Sequence, residues 1–241
     1  MRSPLTHTRV LDPLARLFAC AALAALAGCG RETTAVVPSA PTPAAPASMT
    51  PETAIMRLAW CWDNRDTAGL QDLFTDDYEF AFSVGDTSTA HMSSLHRDDE
   101  LRVSRHLFLE GSGFESVATS IEFAIDPTLT DTPDSRPGRD PLRHREVLTA
   151  VLVHVRSQSQ EFLVAGHARF FLVRGDSAGI PQALINGGTT PDSSRWWIER
   201  WEDETDAGVS GSLSTSSAQP SKNFTLGLLK TLYLPDPLAP H

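Results

Sequence analysis

Few side chains in this sequence stand where acid–base chemistry would need them. Asp76 and Asp77 are adjacent carboxylates that could act as an acid and a base, although neighbouring carboxylates in a turn usually cap and solvate it. Tyr78 follows them with a phenol. His106 lies in a helical pattern two residues before Phe108, where it either faces a pocket or remains a solvated helical histidine. The spacing of these residues specifies no reaction, and we predict no catalytic residue.

Arg169 is the one charged side chain in a long apolar run, FLVAGHARFFLV. A charge in the middle of a strand needs either an acidic partner or a water-filled pocket. Arg169 therefore either pairs with a neighbouring carboxylate or anchors a ligand.

Two histidines raise the question of a metal. His154 and His167 lie on the two strands of a predicted hairpin. With a turn centred at Gln158, His154 pairs with Phe162 and His167 points to the opposite face, unless a bulge at Gly166 restores the pairing. The chain also has no Gly-rich phosphate loop, no GxSxG motif and no CxxC pair. We therefore predict neither a metal nor a cofactor.

The N-terminal segment predicts export and lipid attachment. Arg2, Arg9 and Arg16 accompany the uncharged apolar run LFACAALAALA, which is typical of a signal peptide and too short to span a bilayer comfortably. The run ends in LAGC, which resembles the bacterial lipobox. That resemblance implies cleavage before Cys29 and acylation of its thiol. The alternative is an ordinary secretory signal followed by a chance cysteine.

These patterns predict a lipoprotein signal peptide over residues 1–28 and a Pro/Ala-rich tether over 29–49. Gly30 follows the lipidated cysteine, and the absence of Asp at this position favours the outer membrane, with the domain facing the periplasm. The chain carries 30 acidic and 20 basic side chains, for a net charge of −10. Such a balance argues against nucleic acid as a partner, and it leaves membrane attachment to the acyl chains.

Cys61 is the cysteine that remains free in the mature chain. It lies between Trp60 and Trp62 in a helical pattern, so we predict a small buried apolar residue rather than a reactive thiol.

The domain proper is predicted over residues 50–204. Thr50 and Asp66 have the side chains of helix caps, Pro51 suits a first helical position, and strand-like alternation begins at Tyr78. A third helix is predicted over 98–110, followed by strands over 117–125, 146–156, 161–174 and 195–202. Residues 205–222 read as a flexible Gly/Ser/Thr-rich linker. Residues 223–241 read as an apolar docking segment, helix or strand, and a tail.

This element order, with the motifs LFTDDYEFAFS and WWIERWED, resembles the NTF2-like, or cystatin-like, fold of the SnoaL and ketosteroid-isomerase superfamily. The chain is also similar to bacterial lipoproteins that carry such a domain. The resemblance covers residues 50–204. It implies an α+β cone, in which a strongly curved antiparallel sheet wraps around about three N-terminal helices and encloses a pocket.

The resemblance also bears on the reaction. The isomerase branch places an Asp base five residues beyond the second Asp of its acidic turn, and this position is Phe82 here. Its oxyanion-hole tyrosine belongs to the first helix, where this chain has tryptophans. Steroid-type isomerisation is therefore not expected. The aromatic residues either pack a solid core or line a ligand pocket, and the pocket would be lined by Trp62, Tyr78, Phe82, His106, Arg169 and Trp196.

The segments 147–155 and 162–173 are apolar on both faces, so the outer face of the sheet needs a cover. A homodimer could cover it, as is common in this superfamily. The segment 224–234 could instead fold back over it, which we favour because its own apolar residues also need burial.

We expect a lipid-anchored cell-envelope module that binds an apolar small ligand or a protein without catalysis. One alternative is a SnoaL-type cyclase, dehydratase or hydrolase that uses Tyr78, His106 and Arg169 in its pocket. The other is a structural envelope component that associates with itself.

Overall fold

The computed structural model describes residues 43–158, 160–176, 191–205 and 222–234. The predicted signal peptide, most of the tether, and residues 206–221 of the linker lie outside the described residues. Within those ranges, no helix combines the length and the apolar character that crossing a bilayer requires.

The first two helices begin where their caps predict. Helix α1 spans Pro51–Asn64, and Thr50 caps it by accepting a hydrogen bond from the Thr53 backbone N–H at 3.2 Å. The backbone N–H of Thr50 in turn donates to Thr53 Oγ1, which completes a capping box. Helix α2 spans Thr67–Leu73, and Asp66 caps it through the Gly69 N–H at 2.9 Å.

Strand β1 (Phe74–Ala81) follows α2 without an intervening turn. The adjacent carboxylates Asp76 and Asp77 belong to this strand and are exposed, whereas Phe74 and Tyr78 on either side of them are buried. The polar stretch after it contains a short helix, α3 (Thr87–Ala90), and strand β2 (Ser94–His96), which pairs with β1.

The third predicted helix consists of two parts. Helix α4 spans Arg97–Arg105 and continues as a π-helical turn over His106–Glu110, which ends at Gly111 with φ of 75°. The remaining elements are β3 (Ala118–Ile125), β4 (Asp131–Pro133), β5 (His144–Ser157), β6 (Glu161–Arg174), β7 (Trp196–Thr205), β8 (Lys222–Phe224) and helix α5 (Leu226–Tyr233).

The described strands form one curved sheet in the order β2-β1-β7-β6-β5-β3, with β4 beside β5 and β8 beside β6. The predicted α+β class is confirmed, and so is a curved sheet packed against the N-terminal helices. The sheet is mixed rather than wholly antiparallel, because β1 runs parallel to β7 and β8 runs parallel to β6. Short turns force antiparallel pairing, as in β5 and β6, whereas these two pairs are joined through long connections.

The hairpin of β5 and β6 separates an inner face from an outer face. Val153 pairs with Val164 on the inner face, and both are fully buried. His154 pairs with Leu163 and His167 pairs with Ala150, so both histidines lie on the outer face. The prediction that they point to opposite faces was wrong, because the register differs by one residue from the predicted turn.

The two histidines are four positions apart along the ladder, about 13 Å at the rise of a strand. His154 contacts Glu161 through Nε2. Among the described residues, no group of three His, Cys, Asp or Glu side chains is placed to hold a metal ion.

Candidate functional site

The interior of the sheet is packed with aromatic rings from five parts of the fold. Trp62 of α1 meets Phe108 of the π-helical turn, Phe123 of β3 and Trp201 of β7 at centroid distances of 5.7, 5.5 and 6.2 Å, all edge to face. Phe80 of β1 lies 5.5 Å from Trp201 in the same manner. These edge-to-face contacts are the favourable geometry for aromatic pairs, so the rings form a packed core.

Helix α5 inserts one cation into this core. The ammonium of Lys230 donates to both carboxylate oxygens of Glu100 at 2.7 Å, and the two residues are 1% and 0% exposed. The same nitrogen lies 3.5 Å from the Phe80 ring centroid, 4.2 Å from that of Trp201 and 5.9 Å from that of Trp62. A bidentate carboxylate and aromatic faces therefore surround the ammonium. We call Glu100, Phe80, Trp201 and Trp62 the ammonium cage.

A second buried carboxylate lies near the cage. Asp203 Oδ1 accepts from the N–H and the hydroxyl of Thr205 at 2.9 and 2.6 Å, and Oδ2 accepts from the Gly227 N–H at 2.8 Å. Burial raises the pKa of Asp203, and these hydrogen bonds together with the charge of Lys230 oppose the rise. Burial lowers the pKa of Lys230, and Glu100 opposes the shift by stabilising the ammonium form.

Several polar atoms around the cage have no hydrogen-bond partner among the described residues. They are the hydroxyls of Tyr78 and Ser104 and the indole N–H groups of Trp62 and Trp201. All four side chains are at most 1% exposed. Burial raises the pKa of Tyr78 well above its ordinary value, and the charge of Glu100 raises it further, so the phenol is protonated and can donate.

Polar contacts hold both ends of α5. Near its start, the Leu226 N–H donates to Thr205 Oγ1 at 2.8 Å. Near its end, Ser112 Oγ donates to the Leu232 carbonyl at 2.7 Å, and the Tyr233 hydroxyl donates to the Ser116 carbonyl at 3.0 Å. The C-terminal segment therefore docks on the helical side of the sheet. The prediction that it folds back over the outer face was wrong for α5, because its apolar residues find their partners inside.

Three of the six predicted pocket residues lie in this interior. Trp62 and Tyr78 are fully buried, and Phe82 is 7% exposed. Phe82 lies against α5 so closely that a Cβ atom on Gly227 would be 2.6 Å from Phe82 Cδ1.

The other three predicted residues lie elsewhere. Trp196 begins β7 and packs, partly buried, at the edge of the core. His106 donates through Nδ1 to the Tyr233 carbonyl at 2.9 Å, and its Nε2 lies 3.7 Å from Glu110. It therefore binds the end of α5.

Arg169 lies on the outer face of the sheet, which corrects its placement in the pocket. Its neighbours Ala168 and Phe170 are fully buried on the inner face, so strand alternation turns Arg169 outward. There it contacts Glu146 and donates to Glu204 at 2.9 Å. Of the two roles that the sequence left open, pairing with acidic neighbours is the one observed.

Glu100, Lys230 and Asp203 were not predicted from the sequence as site residues. One signal was available, because Lys230 is the only charge in α5 and shares a helical face with Leu226 and Tyr233 at i, i+4 and i+7 spacing. A lysine on an apolar face predicts a buried cation, although nothing local to it identifies Glu100 as the partner.

A scan against protein-family models found no match, and a search of curated proteins found none. Solved structures that resemble the chain include a conserved protein from Planctomyces limnophilus DSM 3776, at 16% identity and a TM-score of 0.42, covering 64% of this chain and 92% of that one. A putative scytalone dehydratase from Novosphingobium aromaticivorans DSM 12444 matches at 13% identity and a TM-score of 0.42, covering 64% and 80%. ActVI-ORFA from Streptomyces coelicolor matches at 15% identity and a TM-score of 0.41, covering 64% and 93%. Likeness at this level says nothing about activity.

Proposed function

We propose that the chain is a lipid-anchored domain of the bacterial cell envelope that binds a partner molecule and catalyses no reaction. The observation that supports the non-catalytic part of this proposal is the occupancy of the interior. Helix α5 fills the space in front of Phe82 and places Lys230 between the aromatic rings. A reacting substrate would need that space.

Two acid–base groups of the interior, Glu100 and Lys230, are engaged with each other. Glu100 and Lys230 share two hydrogen bonds in a buried place, so neither contacts solvent or a substrate while α5 is docked. The alternative of a SnoaL-type cyclase, dehydratase or hydrolase needs Tyr78, His106 and Arg169 in one pocket. They lie in the interior, at the end of α5 and on the outer face, so this alternative gains no support.

The anchor in this proposal is Cys29 with its tether, on the outer membrane and facing the periplasm. Its test is Cys29→Ser in cells, with Cys20→Ser as the matched control because residue 20 leaves with the signal peptide. We expect Cys29→Ser to lose the membrane fraction and the acyl mass, and Cys20→Ser to keep both. Retention of Cys29→Ser in the membrane fraction would show that Cys29 does not anchor the chain.

Homodimer formation through the outer face of the sheet is part of the same proposal. One half of that face has a cover, since the Arg136 guanidinium lies 4.2 Å from the Phe171 ring centroid. The other half leaves Leu148 47% exposed, and Leu152 and Leu163, farther along the same face, are partly covered. Light scattering of Leu148→Glu should then show monomers where the parent chain shows dimers. Leu142→Glu, at an exposed loop position, is the control. If the parent chain is itself a monomer, the homodimer part of the proposal is wrong.

The experiment that tests binding itself is native mass spectrometry of the full chain released from its own membrane. We expect an additional mass that dissociates intact. Release of a chemically changed molecule, with turnover on repeated addition, would instead establish an enzyme.

A further inference from the structure

We infer that the interior of the domain is a recognition site for a primary alkylammonium group, and that α5 occupies this site with Lys230 as an internal ligand. The inference rests on the proposed binding function and names the chemistry of the ligand. Its evidence is the construction of the ammonium cage and the polar atoms around it.

The cage is built without α5. Glu100 comes from α4, Phe80 from β1, Trp201 from β7 and Trp62 from α1. These elements pack against one another through their own aromatic and aliphatic contacts. Helix α5 supplies only the ammonium. The carboxylate satisfies N–H donors directly, and the ring faces attract the positive charge, which together select a cation that can both donate hydrogen bonds and lie over aromatic faces.

The second observation is that Lys230 leaves part of the site unsatisfied. Tyr78, Ser104 and the two cage tryptophans have buried polar atoms without partners among the described residues. An indole N–H can only donate, and an ammonium can only donate, so Lys230 cannot satisfy these tryptophans. A ligand that carries an acceptor oxygen next to its ammonium could. The expected class is therefore a small amine with a hydroxyl or carbonyl group close to its ammonium.

An external amine can bind this site only when α5 has undocked. Displacing Lys230 also removes Leu226, Leu229 and Tyr233 from the core, where each is at most 1% exposed. The apparent affinity for an external amine is thus reduced by the small fraction of molecules in which α5 is undocked. An eight-residue helix has little stability of its own, so α5 should unfold once it leaves.

The test compares the full chain with Lys230→Ala. The alanine retains Cβ, so propylammonium supplies the three missing carbons and the nitrogen. We expect saturable quenching of tryptophan fluorescence, with affinity at least about tenfold higher in the variant than in the parent chain. 1-Propanol should not compete, because it is neutral. Glu100→Gln in the Lys230→Ala background should weaken propylammonium at least about 30-fold.

Experiments on the parent chain alone test the inference, even if the variants fold poorly. Ethanolamine and N-acetyl-lysine methylamide should each give saturable binding, and protease cleavage should appear within residues 226–233 as the amine binds. Ethanolamine should bind more tightly than the lysine amide, because its hydroxyl lies close to its ammonium. Tighter binding of the lysine amide would overturn the assignment to a small amine and indicate a lysine of a partner protein. Tetramethylammonium at equal ionic strength should neither bind saturably nor induce protease cleavage within residues 226–233. A parent chain that ignores both amines overturns the inference, because propylammonium binding would then report only the hole made by the substitution.

This failure is distinct from failure of the proposed function. A native mass spectrum that shows a bound molecule without an amine would overturn the ammonium site and leave the binding role intact. Turnover of an amine would overturn the non-catalytic role and leave the site.

Discussion

Gly227 of the C-terminal helix and Phe82 beyond the first strand are in direct contact, and a Cβ atom at 227 would lie 2.6 Å from Phe82 Cδ1. Phe82 stands where the resemblance to the isomerase branch would place a base. The docking of α5 depends on an apolar ring at this position, since the ring of Phe82 provides the surface on which Gly227 rests.

Gly227→Ala should therefore destabilise the chain, although glycine to alanine normally stabilises a helix. The added methyl group meets the ring of Phe82 and, at 2.8 Å, Asp86 Oδ2. We expect the free energy of unfolding in urea to fall by about 1–3 kcal/mol. Gly113→Ala is the control, since nothing lies within 4 Å of its Cβ position, and it should change the value by less than about 0.5 kcal/mol. A Gly227→Ala chain as stable as its parent would contradict the observed packing of α5.

The buried pair of Glu100 and Lys230 predicts strong coupling. Glu100→Met or Lys230→Met alone leaves one charge in the core without its partner, and each should lower the free energy of unfolding by about 3–5 kcal/mol. The double variant removes both charges and should be more stable than either single variant. A double-mutant cycle in urea measures the coupling, and additive effects would mean that the two side chains do not meet.

The sequence predicts those parts of the fold that are determined by residues close together in the chain. Thr50 and Asp66 start their helices with their own side chains, and these starts are confirmed. The hairpin register depends on how its turn is built, which the residues 157–160 do not specify. A difference of one residue there moved His167 to the face opposite to the predicted one.

The candidate site is formed by residues that are far apart in the sequence. Lys230 and Glu100 are 130 positions apart, and no spacing rule connects them. The same holds for the parallel pairing of β1 with β7, which brings Phe80 opposite Trp201 and so builds one side of the cage. Apolar periodicity predicts that these aromatic residues are buried, but which of them surround a cation is decided by the packing of distant elements.

The ion pair between Arg169 and Glu146 predicts a particular pH dependence. Burial alone would raise the pKa of Glu146, but hydrogen bonds from Ser135 and Arg169 outweigh it and hold that pKa below its ordinary value. Because the folded pKa lies below the unfolded one, near 4.3, the pair contributes stability above the unfolded pKa. This contribution is lost as the pH falls through the folded pKa.

Arg169→Met should therefore lower the free energy of unfolding by about 1–3 kcal/mol at pH 7, and the difference from the parent chain should narrow towards pH 3. Urea unfolding at a series of pH values measures the loss of stability at pH 7 and the narrowing of the difference towards pH 3. Arg156→Met is the control, because the Arg156 side chain is 54% exposed where it pairs with Glu161, and it should cost less than about 0.5 kcal/mol. A constant difference across the pH range would rule out Glu146 as the titrating partner.

Cys61 should be unreactive in the folded chain. Its side chain is fully buried, and burial, with the charge of Asp66, raises the pKa of its thiol to about 12. At pH 8 the thiolate fraction is then on the order of one in ten thousand, and the thiolate is the reactive form. In a chain with Cys20→Ser and Cys29→Ser, a disulfide reagent should label Cys61 only in urea. Val84→Cys, at a position 92% exposed, should be labelled at once under native conditions. Equal native rates at the two positions would show that α1 opens readily and that Cys61 is accessible.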